Sequence, residues 1–171
     1  SVPVEWLGQQ FLDDAEHLRK TNQRAYDHEY LGLPVGLGTN IFELLEIRTI
    51  SDQEIQKYQS IYQGQDWGWY PDPKAFIRVA YVPNQEKVFL LDELGGSKIR
   101  NKEMANQIKK KGYDDYSISC GVDEEESIID FRDAGLPARR AIVTPGSRKY
   151  TFEWLQCRTL VIDPARTPRA Y

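Results

Sequence analysis

Three apolar, strand-like runs follow one another with only short turns between them: Ile61–Asp66, Ala75–Val82 and Lys87–Leu94. Pro83-Asn84-Gln85 leaves room for a hairpin turn and nothing more, so the second and third runs are predicted to pair antiparallel. After Gly95-Gly96 the pattern changes to helix and strand in turn. A helix over Asn101–Lys111, stopped by Gly112, precedes a strand over Tyr116–Cys120. A helix over Glu124–Ala134, with Gly135 just past its end, precedes a strand over Ala141–Thr144. A last helix, Gly146–Gln156, leads to a strand over Thr159–Ile162. Strands joined through helices are parallel crossovers. The predicted class is therefore α/β: a mixed sheet, an antiparallel meander followed by parallel strands, with helices on both faces.

Upstream of this block the chain reads differently. Leu7, Phe11, Ala15 and Leu18 recur at helical spacing over Val4–Lys20, and Gln23–Tyr30 is a second short helical stretch. The glycine-rich run Gly32-Leu33-Pro34-Val35-Gly36-Leu37-Gly38 lacks the Gly-Lys-Ser/Thr of a phosphate-binding loop and reads as a linker. The expected division is a helical and linker segment over 1–40 and a folded domain over 41–171. Ser51 and Glu54 form a capping box for a brief helix to Lys57.

Composition narrows the function classes. Charged residues make up 28% of the chain, hydrophobic ones 40%, and no run approaches the roughly 18 apolar residues of a membrane span, so no membrane partner is expected. The first residues lack the pattern of a signal peptide. Cys120, in an apolar strand, and Cys157, late in a helix, have no metal-ligand spacing and read as buried reduced thiols. His17 and His28 read as helix-surface residues. The net charge is −4, yet residues 136–171 carry seven basic and two acidic residues. A basic end beside an acidic remainder suits a site that holds metal and a polyanion together; a solvated charged surface gives the same pattern.

Two acidic positions stand at strand ends. Asp66 closes the first strand and opens the turn Asp66-Trp67-Gly68-Trp69-Tyr70-Pro71-Asp72-Pro73, and Asp123-Glu124-Glu125-Glu126 follows the strand ending at Cys120. Carboxylates on neighbouring strand ends can hold divalent ions, Mg²⁺ or Mn²⁺. Two such ions stabilise both the attacking and the leaving oxygen in phosphodiester hydrolysis. Asp66 is the natural bridging ligand, Asp123 a second, and a third carboxylate is expected. Asp92 and Glu93 end the third strand, and one of them must face Asp66's side. Other roles fit the same residues: Asp123 as a helix cap, Asp66 and Asp72 as turn formers, Trp67, Trp69 and Tyr70 as packing over the sheet edge. Arg148 and Lys149, at a helix start, with Arg139 and Arg140, are the candidate phosphate-backbone contacts. Lys109-Lys110-Lys111 ends a helix, where cations are favoured in any case.

Several segments in order resemble the C-terminal nuclease domain of the large terminase subunit of tailed bacteriophages. They are Arg24-Ala25-Tyr26-Asp27-His28-Glu29-Tyr30-Leu31-Gly32, Gly64-Gln65-Asp66-Trp67-Gly68-Trp69 with Asp72-Pro73, Phe89-Leu90-Leu91-Asp92-Glu93, Asp123 with Glu126-Ser127-Ile128, and Val161-Ile162-Asp163-Pro164. The resemblance implies a ribonuclease H-like fold and a metal-dependent endonuclease that cuts concatemeric viral double-stranded DNA during packaging. Asp66 and Asp123 would match the family's first two catalytic aspartates, and the Arg24–Gly32 stretch the joint to a packaging ATPase. The small terminase subunit and the portal would be partners, in the cytoplasm of a host bacterium. The family's third carboxylate lies on a last helix in a pattern close to Asp-His-x-x-Asp-Ala. That pattern does not occur here, leaving Asp163 or Glu93 as candidates and implying that a last helix follows. A non-catalytic docking module for DNA, portal or small subunit is the competing expectation, and a junction resolvase a third.

Overall fold

The computed structural model describes residues 8–21, 23, 26, 30, 31, 41–122 and 124–171. In chain order the elements are helix α1 (Gln9–Thr21), strand β1 (Leu45–Ile47), helix α2 (Asp52–Ile55), strands β2 (Ile61–Asp66), β3 (Lys74–Val82) and β4 (Lys87–Gly96), helix α3 (Asn101–Lys110), strand β5 (Ile118–Cys120), helix α4 (Glu125–Asp133), strand β6 (Ala138–Arg140), helix α5 (Ser147–Gln156) and strand β7 (Thr159–Ile162). Among the described residues the strands form one sheet in the order β1-β7-β4-β3-β2-β5-β6. Only the central strand, β3, runs against the others, pairing antiparallel with β2 and β4, while every other pair is parallel. The C-terminal ends of β2, β4, β5 and β7 therefore lie along one edge.

Burial follows the period of two that a pleated strand imposes. In β3, Lys74, Phe76, Arg78 and Ala80 point inward, and their partners on β2 and β4 share that face. Against it α3 lays Met104, Ala105 and Ile108, and α4 lays Ile128 and Phe131. With Phe76, Ile118, Cys120, Leu136 and Ala138 they form the larger core. A second cluster, Ile50, Ala80, Phe89, Leu91 and Val161, is closed by Ile55 and Tyr58 at α2. Tyr81 points the other way and receives Trp154 of α5 edge-on, at 5.0 Å between ring centroids. Helices thus cover both faces. No described helix is long and apolar enough to cross a membrane.

Both core helices end in the same way. Gly112 (φ +72°) and Gly135 (φ +83°) take the left-handed conformation just past α3 and α4. Tyr113 N then donates to Ile108 O, and Leu136 N to Phe131 O, which closes each helix with a paired cap. The second of these caps sets the next strand. It delivers the chain beside β5 three residues earlier than the apolar run Ala141–Thr144 predicts, so the strand is Ala138–Arg140. The ladder ends with Ala141 N donating to Cys120 O, because β5 offers no more residues to pair with, and Ile142 is left 85% exposed.

Smaller differences have local causes. β1 is three residues long with no inward apolar period, and its partner is β7, near the far end of the chain, with Leu45 beside Leu160. The expected helix to Lys57 ends at Ile55, with only half of its capping box: Ser51 Oγ accepts from Glu54 N, while the Glu54 carboxylate turns to Arg48. α1 buries no residue, and its Phe11 meets Tyr30 edge-on. Its expected start at Val4, the residue Leu7, most of Gln23–Tyr30 including His28, and the glycine-rich run from Gly32 lie outside the described residues. His17 is exposed on α1, Cys120 is buried and Cys157 half-buried.

Candidate metal and nucleic-acid site

Asp66 is the last residue of β2 and is exposed, at the edge where the parallel strands end. Its Oδ1 accepts from the amide of Trp67 at 3.1 Å, which orients the carboxylate within its own turn. The neighbouring chain is the exit of β5. Gln65 pairs with Cys120, and Gly121 N donates to Gln65 O at 3.0 Å. A Cβ built on Gly121 would stand 3.4 Å from Asp66 Oδ1 and 3.4 Å from Trp67 Cδ1, in ordinary van der Waals contact with both, which shows how closely the exit of β5 approaches the carboxylate.

Asp123 itself lies outside the described residues. The N-cap position of α4 is Glu124, with no side-chain cap, and its carboxylate accepts instead from Ser127 Oγ at 2.7 Å. Among the described residues no group of three or more His, Cys, Asp or Glu side chains gathers around a common point.

The two candidate third carboxylates occupy different places. Strand parity puts Glu93 on Asp66's face, since Glu93, Ile77 and Gly64 stand side by side, and puts Asp92 on the core face. Glu93 is two strand spacings from β2, about 10 Å across the sheet, and accepts from the amides of Arg169 and Ala170. Asp92 is buried and bound by Lys111 and Tyr113. Asp163 follows β7, three spacings or about 14 Å away. It is 3% exposed, with Oδ2 accepting from Ile50 N and Oδ1 from Ala165 N. Those amides, the Ile50 amide foremost, hold its carboxyl below the ordinary aspartate range.

The basic candidates divide by face. Arg139 stands beside Ser119 and Gly64, hence on Asp66's side, while Arg140 shares the parity of Cys120 and points the other way; both are exposed. Arg148 and Lys149 fall in the first turn of α5, and Lys149 pairs with Glu153 at 3.5 Å. A helix crossing back between parallel strands starts at their C-terminal edge, which is Asp66's edge.

The turn after Asp66 separates its aromatics. Trp67 packs inward, edge-on to Phe131 at 4.9 Å, and its Nε1 donates to Gly121 O at 3.2 Å. Trp69 and Tyr70 stay exposed, with Lys98 over the Tyr70 ring. Under Trp67 lies a residue that motif reading passes over. Lys74 is 5% exposed, with its ammonium over the indole and donating to Asn101 Oδ1. Burial lowers its pKa, while Glu124 and Asp130 pull in the opposite direction. The alternation Lys74, Phe76, Arg78, Ala80 was the available signal, because it places both cations on the inward face.

No family model matches the chain. Comparison with known proteins finds the large subunit of the terminase of Bacillus phage SPP1, 34% identical over 168 residues, 95% of this chain and 40% of the relative's length. The crystal structure of the SPP1 large terminase nuclease domain with bound Mn is 33% identical, covering 74% of this chain and 75% of that one, with a TM-score of 0.70. The chain belongs to the large terminase nuclease domains. Its mixed sheet with helices on both faces is the ribonuclease H-like fold of that family. The large terminase of a thermophilic bacteriophage shares the fold at 14% identity and a TM-score of 0.62, over 92% of this chain and 42% of that one. This terminase nuclease domain thus spans less than half the length of the curated relative it matches.

Proposed function

We propose that this chain is a metal-dependent endonuclease unit that cuts concatemeric viral double-stranded DNA during genome packaging. The observation that carries the reading is Asp66: an exposed carboxylate at the end of a sheet strand, beside the exit of its parallel neighbour β5. Hard oxygen donors of this kind suit Mg²⁺ or Mn²⁺, and the SPP1 domain has bound Mn. Asp66 and Asp123 are the residues proposed to hold the metal. Two divalent ions bound there would supply charge neutralisation at the attacking and the leaving oxygen of the phosphodiester. Of the two candidate third carboxylates, Glu93 shares Asp66's face, and each of its oxygens already accepts one backbone amide.

The chain's own residues do the positioning. Arg139 faces the side of Asp66, and Arg148 and Lys149 add charge to the first turn of α5. Contacts of this kind hold a duplex by its phosphates without reading sequence. Arg140 points to the opposite face and would reach a separate stretch of backbone. The proposed partners are double-stranded DNA, the small terminase subunit and the portal, in the cytoplasm of a host bacterium. Residues 1–40 are proposed as the joint to an ATPase domain and 41–171 as the nuclease unit.

The test is plasmid nicking and linearisation by this chain in Mn²⁺. Loss of cleavage in EDTA and in Asp66→Ala is the expected result. Cleavage that persists in Asp66→Ala overturns the assignment. A second reading, a non-catalytic docking module, is favoured by the commitment of both candidate third carboxylates, Glu93 and Asp163, to backbone amides. It predicts DNA binding without cleavage, unchanged in Asp66→Ala.

A further inference from the structure

The turn that leaves β2 and the N-cap of α4 are linked, at Asp66's edge of the sheet, by a part-buried chain of polar contacts. Lys74 Nζ donates to Asn101 Oδ1. Asn101 Nδ2 donates to Ser127 Oγ at 3.0 Å and to Asp130 Oδ2 at 2.8 Å. Ser127 Oγ donates to Glu124 Oε2 at 2.7 Å. At its other end the chain reaches Asp66's own turn, because the Lys74 ammonium lies 5.4 Å from the centre of the Trp67 ring, and Trp67 Nε1 donates to Gly121 O. The loop is closed: Trp67 follows Asp66, Gly121 follows β5, and Glu124 precedes α4.

None of these links is needed to bury apolar surface. An apolar side chain at the buried positions 74 and 127 would carry less desolvation cost, since a buried polar group stabilises only when fully paired. The relay's side chains come from the first residue of β3, from the first residue of α3 and from α4 with its N-cap Glu124, so it ties together the ends of three elements whose apolar faces already share the larger core. What they fix is the separation between two turns.

We propose that Lys74, Asn101 and Ser127 are positioning residues for the metal site, holding the turn after β5 in register with Asp66. This rests on the reading of Asp66 as a metal ligand. Outer-shell groups that orient carboxylate ligands typically contribute tenfold or more to metal affinity. Lys74 also places one positive charge near Glu124 and Asp130, which limits repulsion between those two carboxylates.

The experiment is a Mn²⁺ titration of the intact chain, following free Mn²⁺ by electron paramagnetic resonance, with thermal unfolding of each variant alongside. Ser127→Ala and Asn101→Ala are each expected to weaken Mn²⁺ binding about tenfold. Ser127→Ala leaves Asn101 paired with Asp130 and should change Tm little, whereas Asn101→Ala leaves the buried Lys74 ammonium without its acceptor and should lower Tm as well. Ser127→Thr, which keeps the hydroxyl donor, is expected to retain the parent affinity. Asp66→Ala is expected to abolish the binding. If Ser127→Ala and Asn101→Ala bind as the parent does while Asp66→Ala does not, the relay is structural only and the inference fails with the site intact. If Asp66→Ala binds as the parent does, the metal-site reading fails and the inference with it.

Discussion

Replacing Arg78 tests how far the sheet depends on a buried cation beneath the site. Its guanidinium makes a two-pronged contact with Asp115, at 2.8 and 2.9 Å, and donates to Gln63 Oε1 at 2.9 Å. It also lies 4.5 Å from the centre of the Tyr113 ring. Arg78→Met keeps the aliphatic stem and removes all three interactions. Gln63 is 4% exposed and its Nε2 is already committed to Tyr116 O, so its Oε1 is left in the core without a donor, at about 2 kcal/mol. The ion pair contributes less, about 1 kcal/mol, because the Asp115 side chain is 43% exposed and regains water. The ring contact adds about 1 kcal/mol. The total is about 4 kcal/mol, which lowers Tm by roughly 10 °C in a chain of this size. Urea unfolding followed by circular dichroism measures it, with Asp115→Asn as the comparison. Asp115→Asn weakens the pair and leaves the Gln63 donor in place, so about 1 kcal/mol is expected. Equal losses in the two variants would refute the reasoning, since the orphaned glutamine would then contribute nothing.

Arg48 draws the Glu54 carboxyl down to about 2 from an ordinary 4.5. A depressed carboxyl stabilises the fold fully above its unfolded pKa and loses that contribution as pH falls through the folded value, so the window is pH 4.5 to 2. Glu54→Gln should cost about 1 to 2 kcal/mol near neutral pH and flatten the acid limb of a stability–pH curve; an unchanged limb would exclude this pair as its source. Gly68→Ala places a Cβ 2.5 Å from Pro73 O, a backbone atom that cannot move aside alone. It should cost about 2 kcal/mol and, because the turn begins at Asp66, weaken Mn²⁺ binding as well. Gly112→Ala meets nothing within 4 Å but must hold φ at +72°, so a loss of about 1 kcal/mol without any effect on Mn²⁺ is expected. The two alanine variants separate a steric from a conformational requirement for glycine, and equal Mn²⁺ affinities would remove the link between the turn and the site.

The strands were legible where side-chain period and turn chemistry agreed. Ile61–Asp66 and the hairpin around Pro83-Asn84-Gln85 stand where the sequence places them. Asp66 was visible as a carboxylate at a strand end, and its closeness to the exit of β5 follows from the parallel pairing of β2 with β5. The sequence misled at Ala141–Thr144, where apolar character suggests a strand but a three-residue neighbour fixes the ladder further upstream. β1 carries too few residues to show a period. Lys74 and Arg78 were encoded as inward positions of β3, yet charge at an inward position is read as interruption until a partner is known, and the partners Asn101 and Asp115 are 27 and 37 positions away. For the same reason no spacing rule could find that Asp163 spends its carboxylate on the amide of Ile50, 113 positions earlier.

β3, alone in its direction at the middle of the sheet, also divides the labour of folding. On either side of it lie three parallel strands, β1-β7-β4 and β2-β5-β6, whose members are joined only through long excursions of the chain. β2, β3 and β4 close through short connections, so their contacts cost little loop entropy, whereas β1 must wait for β7 at the far end of the sequence. The meander is thus the natural nucleus and the β1–β7 flank the last part to lock. Substitutions in β3 should slow folding, while those at Leu45 or Leu160 should chiefly speed unfolding.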